Sequence, residues 1–379
     1  MVKNFYAQRM SRLSCGIVGL PNVGKSTLFN ALVKKKTVGA SNYPFCTIDP
    51  NVGVVDLPDK RLSVLAKISK SQRTIPATVT FVDIAGLVRG ASRGEGLGNQ
   101  FLSSIRETDV IIHVVRCFED EKTIHVAGKV DPVEDIEVIN LELILADLQM
   151  GENSLKKMER QAKGDHKLLP AVNVLKKICA HLNTSRPVRS LPLNREEQEI
   201  AYMHPFITLK EVLYVANVSE EGLAHTDHHY VRAVSAFATR ENSQVIIVCA
   251  KLEEELAQLG EKEMQEYLSS LNIKESGLDQ LIRLSFDTLG LITFLTTGEK
   301  ETRAWTIRKN TPAQEASGVI HSDIQKGFIR AQVTPFEDLV ACQGQTRAKE
   351  LGKARMEGKG YEVQDGDVIL FFHVPVKKD

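Results

Sequence analysis

Eight residues near the start of the chain form a motif that binds phosphate groups in many proteins. The segment Gly19-Leu-Pro-Asn-Val-Gly-Lys-Ser26 has a glycine, four residues and then Gly-Lys-Ser. In such a loop the glycines let backbone N–H groups turn onto phosphate oxygens. Lys25 can then reach the outer phosphates, and Ser26 can ligate Mg²⁺. The motif therefore predicts a site for a nucleoside triphosphate.

The segments on both sides of this loop have the patterns that the motif requires. Residues 15–19 form a short apolar run typical of a buried strand, and residues 26–33 have the pattern of a helix. A helix N-terminus adds partial positive charge beside a bound anion. This context argues against a chance glycine-rich turn.

Apolar runs alternating with helical patterns predict the fold that holds the loop. The predicted strands are residues 15–19, 53–56, 78–83, 110–115, 213–216 and 244–250. Such alternation is typical of an α/β fold with a mostly parallel sheet and helices on both faces, as in Ras-like nucleotide-binding domains. We assign this domain to residues 13–134 and 201–288.

Residues 135–200 interrupt the strand pattern and have helical periodicity. Leu141, Leu148 and Leu155 are spaced by seven residues, and Gly164 and Asp165 mark a turn before a second apolar stripe. We expect an antiparallel helical coiled-coil hairpin inserted into the sheet domain. An ordinary helical excursion with no dedicated partner remains the alternative.

The C-terminal region, residues 289–373, has short strand-like runs that predict a small α+β domain. These runs are residues 291–296, 303–307, 328–333 and 361–372. Within the last run, Gln364-Asp365-Gly366-Asp367 predicts a hairpin turn. Residues 1–12 and 374–379 are expected to be flexible additions.

Composition favours an ordinary globular protein. The 379 residues include 48 basic and 48 acidic side chains, so net charge gives no support for nucleic-acid binding. The six cysteines are scattered without metal-ligand spacing, which indicates a reducing compartment. The sequence has no secretory pattern and no apolar run near 18 residues. We therefore expect a cytoplasmic protein with no membrane contact.

A second motif, Asp83-Ile-Ala-Gly86, follows a predicted strand and extends the phosphate site. Asp83 at the strand end can hold the Mg²⁺ shell, and the N–H of Gly86 can contact the γ-phosphate. GTPase-like switches also need a threonine between the two motifs. We prefer Thr47 to Thr37, because Thr47 lies in a proline-flanked segment just before the next strand.

The residue after Gly86 is Leu87, where many GTPases have a glutamine that orients water. Leucine cannot bind water, so hydrolysis is slow or another group supplies the contact. His125 lies beyond a strand end, where open-sheet active sites form, and is our catalytic candidate. His113 lies inside a strand and reads as a core histidine. Two loop arginines, Arg89 and Arg93, are either surface residues or stabilisers of transition-state charge.

Base selection depends on Asn217-Val-Ser-Glu220, where GTPases have Asn-Lys-x-Asp. A glutamate replaces the aspartate that accepts two hydrogen bonds from guanine, and a valine replaces the lysine that packs on the base. Asn217 can still bind a purine edge. ATP is therefore at least as plausible as GTP. Cys249-Ala-Lys251 stands where GTPases place Ser-Ala-Lys behind the base.

With these motifs in place, the chain resembles the YchF-type Obg-like ATPases, within the Obg branch of GTPase-like proteins. The resemblance covers almost the whole length. Besides the motifs above it rests on Asn42-Tyr-Pro-Phe-Cys-Thr-Ile48, Gly94-Glu-Gly-Leu-Gly-Asn-Gln-Phe101, His113-Val-Val-Arg-Cys-Phe118, Arg303-Ala-Trp-Thr-Ile307, Lys326-Gly-Phe-Ile-Arg-Ala331 and Asp365-Gly-Asp367.

The resemblance implies properties that spacing alone does not indicate. These are a preference for ATP over GTP, a coiled coil at residues 135–200, a C-terminal TGS domain of β-grasp type, and a link to ribosomes, translation and stress. It implies Mg²⁺ ligation by Ser26 and Thr47, backbone contact of Val218 with adenine, and a hydrolytic role for His125. Asn22 matches an asparagine that some relatives use for K⁺.

Together these arguments define a predicted site. Its catalytic residues are Lys25, Gly86 and His125, and its metal ligands are Ser26, Thr47 and Asp83. Its nucleotide-binding residues are Asn22, Val23, Gly24, Lys25, Ser26, Thr27, Asn217, Val218, Glu220 and Ala250.

The leading hypothesis is a monomeric, slow, Mg²⁺-dependent ATPase whose nucleotide state acts as a switch, with the ribosome as partner. Two alternatives remain open. One is a true GTPase switch in which Glu220 replaces the aspartate. The other is a nucleotide-gated ribosome-binding regulator in which hydrolysis is incidental.

Overall fold

The computed structural model describes residues 13–35, 50–84, 97–120, 129–224, 228–271 and 273–375. Within these residues, six strands form a first sheet in the order β2-β4-β1-β5-β6-β7. They are β1 (Ser14–Val18), β2 (Val52–Asp56), β4 (Thr78–Asp83), β5 (Val110–Arg116), β6 (Val212–Asn217) and β7 (Gln244–Val248). Only β2 with β4 is an antiparallel pair in this sheet. The mostly parallel sheet predicted from the sequence is confirmed.

The burial of each strand follows its place in the sheet. Strands β1, β5 and β6 lie in the middle and are buried along their whole length. Their sequences are accordingly near-continuous apolar runs, as expected for strands covered on both faces. The edge strand β2 alternates between buried and partly exposed residues. The phosphate loop therefore begins at the end of a strand in the buried centre of the sheet.

Helices alternate with these strands along the chain. In chain order they are α1 (Lys25–Lys34), α2 (Lys60–Ser69), α3 (Leu97–Glu107), α4 (Pro132–Ala162), α5 (Leu169–Leu182), α6 (Arg195–Tyr202), α7 (Glu220–Ala224), α8 (His229–Arg240), α9 (Ala250–Leu256), α10 (Glu261–Ser270) and α11 (Gly277–Thr288). Local sequence explains where several of these helices begin. Asp131 caps α4 with Pro132 in its first turn, and Asn194 forms a capping box with Glu197 at α6.

The long helix α4 and the antiparallel α5 form a hairpin, which we call the helical arm. A turn at residues 163–164 and a short helix at His166–Leu168 join them, where the sequence predicts a turn. Leu175 and Ile178 are fully buried in the arm's own core. Leu141, however, was expected in the apolar stripe and is 45% exposed. The base of α4 packs on the sheet through another face, which carries Ile136 and Ile139 instead.

A second sheet occupies the C-terminal region, in the order β11-β10-β12-β8-β9-β3. Its strands are β3 (Thr74–Ile75), β8 (Leu291–Thr297), β9 (Thr302–Arg308), β10 (Phe328–Pro335), β11 (Arg355–Glu357) and β12 (Asp367–His373). The helices of this region are α12 (Ala313–Ile320), α13 (Ser322–Lys326), α14 (Phe336–Cys342) and α15 (Gln345–Glu350). The edge strand β3 comes from the N-terminal part of the chain.

The predicted hairpin at residues 364–367 is wrong. Strand β12 begins at Asp367 and pairs with β10 and β8, not with the residues before the turn. The turn is held by side chains instead. The Asp367 carboxylate accepts hydrogen bonds from the Gln364 N–H and the Tyr361 hydroxyl, and Asp365 accepts one from the Thr293 N–H. Gly366 at φ 82° completes this tight connection.

The two sheets share packing contacts. One face of the second sheet contributes Leu295 and Val368 to the same apolar cluster as the first. Arg61 on α2 forms ion pairs of 2.8 Å with both Asp59 and Asp365. In the described part of the chain, no helix is both long and apolar enough to cross a membrane.

Candidate functional site

The phosphate loop, residues 19–26, connects β1 to α1 through backbone conformations that side chains disfavour. Gly19 has φ 155°, Asn22 has φ 63° and Gly24 has φ 97°. A Cβ on Gly24 would lie 2.2 Å from Nδ2 of Asn217. The loop therefore needs glycine at position 24 for two reasons, a left-handed backbone and a close side-chain contact. Turns of this kind form anion-binding concavities from successive backbone N–H groups.

Lys25 starts α1 with its ammonium group inside the loop. Its side chain is buried, and Nζ donates a 2.7 Å hydrogen bond to the Leu20 carbonyl. Burial lowers the pKa of Lys25 from 10.5 to about 8, while the nearby Asp83 carboxylate acts in the opposite direction. This ammonium is thus a buried cation whose charged form an added anion would stabilise.

Ser26 and Asp83 meet beside Lys25. The Ser26 hydroxyl donates to the Asp83 carboxylate over 3.4 Å, at the carboxyl end of β4. Burial raises the pKa of Asp83, while Lys25 and the Ser26 hydrogen bond oppose the rise. A hydroxyl and a carboxylate are the oxygen ligands that Mg²⁺ prefers, so the pair fits such an ion.

Asn217, at the end of β6, links the phosphate loop to a helix across the sheet. Its amide nitrogen donates to the Val23 carbonyl over 2.9 Å, and its amide oxygen accepts from the Ala250 N–H over 3.0 Å. Its side chain is 4% exposed. Because both ends of the amide bind main chain, Asn217 holds the loop in place against α9.

The remaining predicted base contacts lie next to Asn217. Val218 is buried, and its N–H donates to the Val248 carbonyl over 2.9 Å. Glu220 starts α7 and lies 3.8 Å from the exposed ammonium of Lys251. The strand ends therefore bring together the phosphate loop, Asp83 and the base motif. This is the edge where open α/β sheets bind ligands.

His113 has the core position that the sequence predicts. It is buried in β5, and its ring lies 5.5 Å from that of Tyr214. Burial, with Arg189 and Lys25 nearby, lowers the pKa of His113 to about 3. Other predicted residues lie outside the described residues: Thr37, Thr47, Gly86, Leu87, Arg89, Arg93 and His125.

Sequence reasoning missed one set of polar residues, at the base of the helical arm. Asp147 is fully buried there and accepts hydrogen bonds from the N–H groups of Ile207 and Thr208 and from the Thr208 hydroxyl. The aspartate stands in an otherwise ordinary amphipathic helix, so its sequence context gives no signal of a role. Its partners lie sixty residues away.

Comparisons with known proteins agree with this geometry. Residues 14–148 match the family model described as "50S ribosome-binding GTPase", and residues 291–373 match YchF-GTPase_C, described as "Protein of unknown function (DUF933)". The chain is 51% identical to the Ribosome-binding ATPase YchF of Bacillus subtilis (strain 168), covering 95% of this chain and 98% of that protein. It is 52% identical to the protein of that name from Escherichia coli O157:H7, covering 94% and 98%.

A solved structure is also similar over its whole length. The Schizosaccharomyces pombe YchF GTPase superposes with a TM-score of 0.86 at 35% identity, covering 95% of this chain and 97% of that one. The sequence relatives are called ATPases and the structural relative a GTPase, so the names do not agree on the nucleotide.

Proposed function

The chain belongs to the YchF family, and from this premise we propose that it hydrolyses ATP and uses the bound nucleotide as a conformational switch on the ribosome. The observation that carries the proposal is the phosphate loop. Asn22 and Gly24 adopt left-handed conformations, and the buried Lys25 follows at the N-terminus of α1. The ribosome is proposed as the partner because the bacterial relatives are named ribosome-binding ATPases.

We assign the phosphates to the main chain from Asn22 to Thr27 and to the Lys25 ammonium. Among the described residues, that ammonium donates one hydrogen bond, to the Leu20 carbonyl. A phosphate anion offers it a charged partner, and the charged form is the one that burial disfavours. Nucleotide binding therefore stabilises the charged form of Lys25.

Mg²⁺ is assigned to Ser26 and Asp83, whose oxygens already lie together, with Thr47 as a further ligand. When bound, the ion would neutralise phosphate charge as the terminal phosphoryl group leaves. K⁺ at Asn22 is a further assignment that follows from the family resemblance.

For the base we propose adenine. Asn217 fixes the loop against α9. We assign Val218, Glu220 and Ala250 to the base. Glu220 is longer than the aspartate that guanine requires and lies near Lys251, which competes for its charge. Guanine therefore gains little over adenine at this site.

Hydrolysis is assigned to Gly86 and His125, with Leu87 in the position of a water-orienting glutamine. Because leucine cannot hold water, we expect slow turnover, which suits a switch better than a metabolic enzyme. The protein would act as a monomer in the cytoplasm, where ribosomes are found.

The end of the helical arm supports contact with ribosomal RNA. Residues 156–177 carry exposed basic side chains and far fewer acidic ones, although the whole chain is neutral. The basic residues are Lys156, Lys157, Arg160, Lys163, Lys167, Lys176 and Lys177, and the acidic ones are Glu159 and Asp165. Such a cluster complements a phosphate backbone, and its binding should weaken steeply with salt.

Calorimetric titration with non-hydrolysable ATP and GTP analogues tests the base assignment. We expect tighter binding of the ATP analogue. A GTP preference of tenfold or more, about 1.4 kcal/mol, would overturn it in favour of the GTPase switch. In that case a Glu220→Asp, Val218→Lys double variant should sharpen an existing preference.

Sedimentation with purified ribosomes tests the partner. We expect binding that differs between the ATP analogue and ADP. The variant His125→Ala separates the remaining alternative: if turnover is lost while nucleotide-dependent ribosome binding and cellular activity persist, hydrolysis is incidental.

A further inference from the structure

The last turn of α3 is fixed by a lysine from another part of the chain. The Lys210 ammonium donates to the carbonyls of Ile105 at 2.6 Å, Arg106 at 2.9 Å and Thr108. A cation at this end complements both the free carbonyls and the helix dipole. Lys210 directly follows the segment that returns from the helical arm to β6.

Arg106, on the same turn, binds both chain segments at the arm's base. Its Nη1 donates to the Pro205 carbonyl over 2.8 Å and lies 3.7 Å from the Asp147 carboxylate. Its Nη2 lies 3.5 Å from the Ala146 carbonyl. One guanidinium thus joins α3 to the outgoing helix α4 and to the returning segment.

The arm side of this link is rigid. Asp147 ties α4 to Ile207 and Thr208 through three hydrogen bonds of 2.7–2.9 Å. The Thr208 hydroxyl also accepts from the Val188 N–H over 3.1 Å. All of these bonds are buried, so outgoing and returning segments should move as one body.

The first turn of α3, at the opposite end from Arg106, is close in sequence to the predicted nucleotide site. In sequence, α3 follows the Asp83-to-Gly86 motif, and its eleven residues span about 16 Å. Between α3 and α4, a groove of about 520 Å³ runs past Leu102, Ser103 and Met150. This groove gives α3 room to tilt while its last turn stays bound to the arm.

We infer that Arg106 is a positioning residue that transmits the nucleotide state to the direction of the helical arm. The inference rests on the proposed function, because it requires that nucleotide occupancy shifts α3. A shift at the first turn of a stiff helix reaches its last turn, where Arg106 passes it to the arm's base.

Distances between two spin labels on the full-length chain test this inference. Labels are attached through azidophenylalanine at Asn173 on α5 and Ala236 on α8, both exposed. Distances are compared with ADP and with a non-hydrolysable ATP analogue. In the unmodified chain the two nucleotides should give different mean distances. In Arg106→Gln the difference should fall by at least half, because only Lys210 then joins the last turn of α3 to the returning segment among the contacts described above, with nucleotide Kd changed by less than about twofold.

Two further variants make the result decisive. Arg195→Gln removes an arginine at the start of α6 that is 92% exposed and should keep the full difference. Arg106→Lys retains charge but cannot reach both segments, so it should show a reduced difference even if the glutamine variant folds poorly. The inference is overturned if Arg106→Gln or Arg106→Lys keeps the full difference in mean distance between the two nucleotides. It is also overturned if the unmodified chain binds both nucleotides but shows no difference in distance. Failure to bind either nucleotide would instead overturn the proposed function.

Discussion

The phosphate loop and the base of the helical arm each bury a charge, but they satisfy it in different ways. Among the described residues, the Lys25 ammonium has one hydrogen bond, to a neutral carbonyl in its own loop. The Asp147 carboxylate has three, from a segment sixty residues away, with Arg106 nearby. A charge left with few partners is suited to a ligand, whereas a fully bonded charge holds structure together.

The strongest test of this contrast is Lys25→Met. We expect nucleotide affinity to fall more than 100-fold, about 2.7 kcal/mol, because the variant loses its charge-assisted bond to phosphate. Calorimetry measures the loss. Lys34→Met is the control, because this exposed lysine on the same helix pairs with Glu254 at the surface. Affinity within fivefold of the unmodified chain would show that Lys25 does not bind phosphate.

The same variant should gain stability without nucleotide. The folded-state pKa of about 8 lies below the usual 10.5, so the unfolded chain binds more protons between these values. Stability of the unmodified chain therefore rises with pH across that window, and the buried charge costs up to about 3 kcal/mol below it. Urea unfolding at pH 7 and pH 10 should show Lys25→Met more stable at pH 7, with a smaller rise towards pH 10.

Asp147→Asn should have the opposite profile. The amide keeps one acceptor oxygen but faces N–H donors with its own NH₂ group, so at least one buried bond is lost. We expect destabilisation of about 2–4 kcal/mol in urea unfolding, with nucleotide affinity nearly unchanged. The control Glu152→Gln alters an exposed carboxylate on the same helix and should be neutral. Lost affinity at full stability would contradict the structural role.

Gly24→Ala tests the backbone of the loop instead of its charge. A left-handed φ and a Cβ 2.2 Å from Asn217 should together cost about 2 kcal/mol of stability. Nucleotide affinity should also fall, because Asn217 no longer holds the loop. Gly298→Ala is a matched control, since a Cβ there has open space. Equal behaviour of the two alanine variants in thermal unfolding would mean that the loop tolerates a shifted Asn217.

The sequence could predict the loop because its information is local. Eight consecutive residues contain the glycines and the lysine, and their flanks contain the strand and helix. The arm was predictable only as a pair of helices. Periodicity shows that two helices are present, but it does not show which face of α4 packs on the sheet. Leu141 was therefore expected to be buried, although it is exposed.

The missed features all depend on partners that are distant in sequence. Asp147 meets Thr208, and Arg106 meets Pro205, across about sixty and one hundred residues of sequence. The two-residue strand β3 has no periodic pattern and joins the second sheet through Thr302 and Arg303. The turn at Asp365 has hairpin residues, but the Asp365 carboxylate binds the Thr293 N–H and Arg61, which are both distant in sequence. Local chemistry cannot distinguish these uses.

His113 offers the smallest and most specific test, because it lies between the two regions. Lys25 of the loop and Arg189 from the segment after α5 both help burial to lower its pKa to about 3. The unfolded chain therefore binds more protons between pH 6.5 and pH 3, and stability rises with pH across that window. Between pH 7 and pH 5.5, proton binding by His113 in the unfolded chain should lower the free energy of unfolding by about 1 kcal/mol.

Urea unfolding of His113→Leu should show a pH dependence smaller by that amount, whereas the exposed His166→Gln should match the unmodified chain. In Lys25→Met the folded-state pKa of His113 should rise, because one of the two cations that disfavour its protonation is gone. Unfolding followed down to pH 3 should then show the loss of stability level off at a higher pH. A curve that levels off at the same pH would mean that Lys25 has no part in setting this pKa. The loop and the arm would then be electrostatically separate, and Arg106 would remain as the connection between them.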